Sequence, residues 1–194
     1  MRRRLEVLEG TGLRELPCGL GALASLQHLS LARNSRLTHL PHSLSALTAL
    51  RVLNLEGCSA LTALPDWAGK LKDLQTLNVG QCRAIEAIPH DLNTLASLHS
   101  LHVHGCKRLE EQPAVKATVA IVEARAALAT ASHKLAEVQA GHEAAKKTRN
   151  MRRQLATQAQ LDAAILLEQD ARAALQSAVD SAPPPAAQPV TWSS

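Results

Sequence analysis

Leu26–Pro41 reads LQHLSLARNSRLTHLP, and the stretch returns as LRVLNLEGCSALTALP from Leu50 and LQTLNVGQCRAIEAIP from Leu74. A worn copy, LHSLHVHGCKRLEEQP, starts at Leu98. The step is 24 residues each time, without insertion. Leu5, Val7, Leu13, Leu16 and Pro17 stand in the same phase, which sets an earlier copy from Arg2. Five of the nine prolines mark the beat: Pro17, Pro41, Pro65, Pro89 and Pro113. A fixed period of this length signals stacked repeats, each burying its apolar face against its neighbours.

One repeat shows the logic. In Leu29-Ser30-Leu31 the alternation sends the leucines inward and the serine outward, as a strand requires. Leu37 and Leu40 point in again, and Pro41 stops further ladder pairing. Leu44 and Leu47 follow at helical spacing, with Asp66 and Asp91 expected to help start the equivalent helical turns. In the worn copy Gln112 replaces Leu40 and Glu110 and Glu111 precede it, as in a last repeat whose outer face turns polar. At the other end Leu5 and Val7 begin the core behind only Arg2, Arg3 and Arg4. That leaves three readings: a piece of something longer, an edge that pairs with another chain, or a frayed first copy.

The pattern L-x-x-L-x-L-x-x-N/C-x-x-L-x-x-L-P resembles the leucine-rich repeat family over about residues 2–113. The resemblance implies an α/β repeat solenoid, a short horseshoe of about five repeats with a concave face of parallel strands. It is similar to repeats of plant intracellular immune receptors and of leucine-rich effectors of plant-associated bacteria, which implies recognition or signalling in cells. In that family the position of Asn34, Cys58, Cys82 and Cys106 forms a ladder whose side chains turn inward and bond the backbone. Three of the four cysteines are thereby structural, and Cys18 is off the phase. Some leucine-rich effectors carry a ubiquitin-ligase domain after the repeats, and some of those ligases use a catalytic cysteine. The chain after Cys106 has no cysteine, so that activity is only a remote alternative.

Beyond Pro113 the composition changes. Residues 114–182 hold 21 alanines, one glycine and no proline, a composition of strong helix formers. Ile121, Leu128, Leu135 and His142 are spaced by seven and interleave with Ala124, Ala131, Val138 and Ala145. A second seam runs through Leu161, Glu168 and Leu175 with Ala164, Ala171 and Ala178. The seams are out of register across the polar run that holds Lys146, Lys147, Arg149, Arg152 and Arg153. The expected extension is therefore all-α, a helical hairpin or a coiled coil. The division is 1–113 solenoid, 114–181 Ala-rich helical segment with a break near 141–153, and 182–194 a Pro-rich, disordered tail containing Trp192.

Candidate function rests on the outward strand positions. Across the sheet these read Arg4, His28, Val52, Thr76, Ser100, then Glu6, Ser30, Asn54, Asn78, His102, then Leu8, Ala32, Glu56, Gly80, His104. Arg33, Arg51, Gln75, Gln81 and His99 lie at the margins. The candidate partner-binding set is His28, Ser30, Arg33, Arg51, Asn54, Glu56, Thr76, Asn78, Gln81, Ser100, His102 and His104. A mixed polar surface suits a protein or peptide better than a small molecule, which takes apolar concavity. With two tryptophans and no Phe or Tyr, ready interface anchors are few and the affinity is expected to be modest.

No catalytic motif stands out, and neither a cofactor nor a metal site is expected. His102 and His104 are spaced as a strand chelate is, without a third ligand in phase. A formal charge of +4 and the lack of interleaved aromatics argue against nucleic acid. The basic start has no apolar run behind it, so no signal peptide is read and a cytoplasmic place is expected, with secretion by a signal-less route left open. The rival reading makes the helical segment the active part, an oligomerising coiled coil displayed on the repeats.

Overall fold

The computed structural model describes residues 5–147 and 151–182. Five three-residue strands form one parallel sheet in chain order: β1 Leu5–Val7, β2 His28–Ser30, β3 Val52–Asn54, β4 Thr76–Asn78 and β5 Ser100–His102. From β2 onward the register keeps the sequence period, with Leu29 beside Leu53, Leu77 and Leu101. Short 3-10 helices return the chain on the opposite side at Cys18–Ala22, His42–Ala46, Asp66–Lys70 and His90–Thr94. Each starts directly after a beat proline, whose preset φ and missing N–H suit that place. Asp66 and Asp91 sit in first turns but make no side-chain cap, so the prolines carry the turn that the aspartates were expected to start.

The core is a column of leucines. Leu26, Leu29, Leu31 and Leu37 repeat as Leu50, Leu53, Leu55 and Leu61, all with at most 1% of their surface exposed. Full burial of one such side chain is worth roughly 1.5–3 kcal/mol, so each added repeat extends the column by several. Trp67 is buried in the same cluster.

The first repeat corrects the sequence reading. Leu5 pairs with His28, Glu6 with Leu29 and Val7 with Ser30, one residue out of the 24-residue phase. Four residues separate Leu8 from Leu13, where five separate Leu31 from Leu37. Gly10 and Gly12, at φ 63° and 69°, turn this tighter corner. A one-residue shift exchanges the faces of a strand. Val7 is accordingly 53% exposed, while Leu8 packs on the core and its N–H donates to Ser30 O at 2.8 Å. Glu9, not Leu8, takes the outward place beside Ala32.

Three helices complete the chain: α1 Lys107–Glu110, α2 Pro113–Lys146 and α3 Met151–Asp180. The first turns of α2 belong to the solenoid. Val115 and Val122 lie in its core cluster and Val119 packs against it. Arg125 reaches back from α2 and donates to Asn93 O at 2.7 Å and Leu95 O at 2.9 Å. Burial lowers the Arg125 pKa from its ordinary value. Sequence pattern treats the helical segment as a unit of its own; the structure makes its start the cover of the worn last repeat.

Beyond that cover α2 and α3 form an antiparallel hairpin. Ser132 pairs with Glu168 at 2.9 Å, and His142, ten residues on, with Thr157, eleven residues back, at 3.1 Å. The two expected seams face each other, with Ala131, His142, Ala145 and Ala164 buried between them. Gly141 lies inside α2, which runs to Lys146. Trp192, the Pro-rich tail, Arg149 and the side chains of Arg152 and Arg153 lie outside the described residues.

Candidate functional site: the outward face of the sheet

Strand alternation with buried leucines on one side leaves the other side to polar residues. The first row holds His28, Val52, Thr76 and Ser100, in register along β2 to β5. The second holds Ser30, Asn54, Asn78 and His102. Beyond the strand ends come Ala32, Glu56, Gly80 and His104. His28, His102 and His104 are exposed, whereas Thr76, Asn54, Glu56 and Asn78 are half-buried.

The centre is pre-ordered. Asn54 Oδ1 accepts the Glu56 N–H at 3.1 Å, and Asn78 Oδ1 accepts the Gly80 N–H at 2.9 Å. These local bonds, typical of Asn where a chain turns, fix both amide planes. Asn78 Nδ2 then donates to Glu56 Oε2 at 3.1 Å, so the carboxylate is held with its other oxygen free of partners among the described residues. Asn54 Nδ2 has no acceptor among the described residues. A fixed carboxylate beside a free amide is a matched acceptor and donor pair for a peptide group or a cationic side chain.

The rim of the face is arranged differently. Ser100 Oγ and His102 Nε2 are 2.9 Å apart. The His104 ring covers Gly80: a Cβ added there would meet it at 2.4 Å. Ser30 donates to the Glu9 carboxylate, a partner that the 24-residue phase misses. Arg51 is exposed at the entry to β3. Arg33 and Gln81 occupy the turn after the strand, at φ 61° and 59°. Gly57 and Gly105 hold the same left-handed position in alternate repeats, which is the sequence signal that would have placed them. Among the described residues no three of His, Cys, Asp and Glu come together to hold a metal ion.

Behind the face runs the ladder. Asn34 Nδ2 donates to Leu8 O at 2.6 Å and Leu31 O at 2.8 Å, and its Oδ1 accepts the Leu13 N–H at 3.2 Å. Cys58, Cys82 and Cys106 donate through Sγ to Leu31, Leu55 and Val79 carbonyls at 3.2, 3.1 and 3.0 Å. All three are free thiols, at most 1% exposed. Burial raises each pKa, and the flanking Cys58 and Cys106 help push Cys82 up to about 12. Such thiols are donors and fillers, poor nucleophiles.

Residues 3–173 match the family described as leucine-rich repeat region. The chain belongs to the leucine-rich repeat family. Among solved structures this leucine-rich repeat chain is similar to the leucine-rich repeat domain of the type III effector XopL, at 29% identity over 50% of this chain and 34% of that one, with a TM-score of 0.45. It is also similar to the Leptospira interrogans leucine-rich repeat protein LIC12759, at 26% identity over 53% of this chain and 31% of that one, with a TM-score of 0.38. The chain thus matches about a third of the length of each. No curated protein matches it. No helix among the described residues is long and apolar enough to cross a membrane.

Proposed function

We propose that this leucine-rich repeat chain is a non-catalytic interaction module that binds a protein or peptide on its concave sheet, in recognition or signalling within cells. The family, typically one of protein–protein interaction, supports the class of function. The observation that carries the reading is the Asn54–Glu56–Asn78 arrangement, a fixed carboxylate with a spare oxygen next to an unpartnered amide. Glu56 takes a cationic or amide group of the partner. Arg51, His28, Thr76, Ser100, His102 and His104 surround it and set which segment fits. Residues 1–113 act as the recognition unit and 114–181 as its helical support.

The test is site-specific photocrosslinking. A crosslinker at Val52 or Thr76 captures the partner in an extract of the source cells, and one at Lys70 on the opposite side does not. Arg51→Glu combined with Glu56→Lys then removes capture while leaving the circular dichroism unchanged. Equal capture from both sides, or full binding by the double variant, refutes the concave-face reading.

A second reading has its own observation. The hairpin consumes the expected seams, yet α3 leaves Leu155 67% and Leu166 58% exposed. Eleven residues apart, they share one face of the helix. Self-association through this outer face predicts a concentration-dependent mass in light scattering that Leu155→Glu with Leu166→Glu abolishes. A monomer at all concentrations refutes it.

A further inference from the structure

The turns that follow the strands stack along one flank of the solenoid. Arg33, Gly57, Gln81 and Gly105 form one column, at φ 61°, 74°, 59° and 75°. Arg33 lies over Gly57, its Cα 3.5 Å from where a Gly57 Cβ would stand. Ser35, Ser59, Arg83 and Lys107 form a second column, in which Ser59 Oγ donates to Ser35 O at 3.5 Å. Arg36, Ala60, Ala84 and Arg108 form the third. The flank therefore has cations at both ends and a small, uncharged middle of Gly57, Ser59 and Ala60. At one end an open groove of about 550 Å³ is lined by Gln81, Arg83, Gly105, Lys107 and Arg108.

These cations are available. Glu86 pairs with Arg108 and with no other cation among the described residues. Glu110 accepts the Gly105 N–H at 2.6 Å, while Glu56 and Glu9 are engaged by Asn78 and Ser30. Arg33, Arg36, Arg83 and Lys107 make no ion pair among the described residues. The backbone adds a second observation. Only glycine adopts the left-handed conformation without cost, and Gly57 and Gly105 show that glycine serves at this position. Arg33 and Gln81 keep side chains there against that preference, as strained residues do at ligand clamps.

We propose that this flank is a second binding surface, separate from the concave face, for an extended acidic peptide segment. Arg33 and Arg36 hold acids at one end, Arg83 and Lys107 hold acids at the other, and the Gln81 amide bonds the peptide backbone between them. Two to three repeats separate the ends, about 10–14 Å at the usual strand spacing, which an extended chain covers in about three to four residues. The ligand is thus two acidic pairs around a short neutral spacer. The flank carries no aromatic side chain on which a base would stack, and Trp67 is buried at 4% exposure, so peptide is favoured over nucleic acid.

The experiment uses the full chain and three fluorescein-labelled probes in anisotropy titrations: the peptide EEGSSEE, its counterpart KKGSSKK, and a single-stranded RNA oligonucleotide. The acidic peptide binds and weakens with added salt, and the lysine peptide does not bind. Arg83→Gln with Lys107→Gln weakens binding about fourfold or more, from about twofold to fivefold per exposed pair. Arg33→Gly lowers affinity while the thermal midpoint holds or rises, a combination that misfolding does not produce. Asn54→Ala, on the concave face, leaves EEGSSEE binding unchanged, which separates this surface from the one proposed above. No binding of EEGSSEE, equal binding by the Arg83/Lys107 variant, loss of binding on Asn54→Ala, or tighter binding of RNA overturns the proposal.

Discussion

The thiol ladder makes the stability of this protein depend on pH in a calculable way. Cys82 is fully buried, its Sγ donates to Leu55 O at 3.1 Å, and its pKa is pushed up to about 12 from an ordinary 9.0. In the unfolded chain the thiol ionises near the ordinary value, but in the folded chain it keeps its proton. Between the two pKa values the folded state binds the extra proton, so stability is full below the unfolded pKa and falls as pH rises through that window. One proton gives a slope of about 1.4 kcal/mol per pH unit. At one unit above the unfolded pKa, Cys82 therefore costs about 1.4 kcal/mol. Lysines also titrate there, so the measurement is a difference. Urea denaturation of the native chain and of Cys82→Ala, followed by far-UV circular dichroism under reductant at a series of pH values, cancels the terms common to both. The stability advantage of the native chain should be constant below the thiol range and shrink with the stated slope above it. A difference that stays flat across that range would show that the ladder thiol is not held protonated by the fold.

Three further outcomes follow from named contacts. Gly57→Ala puts a Cβ in ordinary van der Waals contact, at 3.5 Å from its nearest neighbour, so its cost is conformational; about 1 kcal/mol of stability should be lost in chemical denaturation, and a neutral result would deny the left-handed column. Arg125→Ala removes two donors to the carbonyls of the last 3-10 turn and should cost about 1–3 kcal/mol, with hydrogen exchange quickening first in β5 and the first turns of α2. Leu53→Ala, in the middle of the leucine column and fully buried, should cost about 2–5 kcal/mol; a loss below 1 kcal/mol would mean that the repeats do not share one core.

How much was legible differs from element to element. The register of β2 to β5 follows from the 24-residue step, because identical repeats stack with identical offsets. The same extrapolation fails at β1. There the decisive quantity is the length of one turn, and a shift of one residue sends Val7 outward and Leu8 inward. Arg33 and Gln81 are placed along the chain by counting from the strand, but the left-handed turn conformation they adopt is signalled only by Gly57 and Gly105 at the same position. Of the candidate site, the outward rows could be listed in order. That Glu56 is the fixed group and Asn54 the one with a spare donor could not, because it depends on which way each amide turns.

By itself the sequence determined the repeating unit. Period, leucine phase, beat prolines and ladder positions are local quantities, each set by covalent neighbours and by nearest-repeat stacking. Only the tertiary structure decided the ends: the shifted first strand, the helix whose Val115, Val122 and Arg125 close the last repeat, and the hairpin that consumes both Ala seams. These are decided late because no repeat encodes them. Where the period stops, each exposed edge is completed by whatever distant segment buries the most apolar surface and satisfies the most backbone groups, and that competition is settled only between parts already folded.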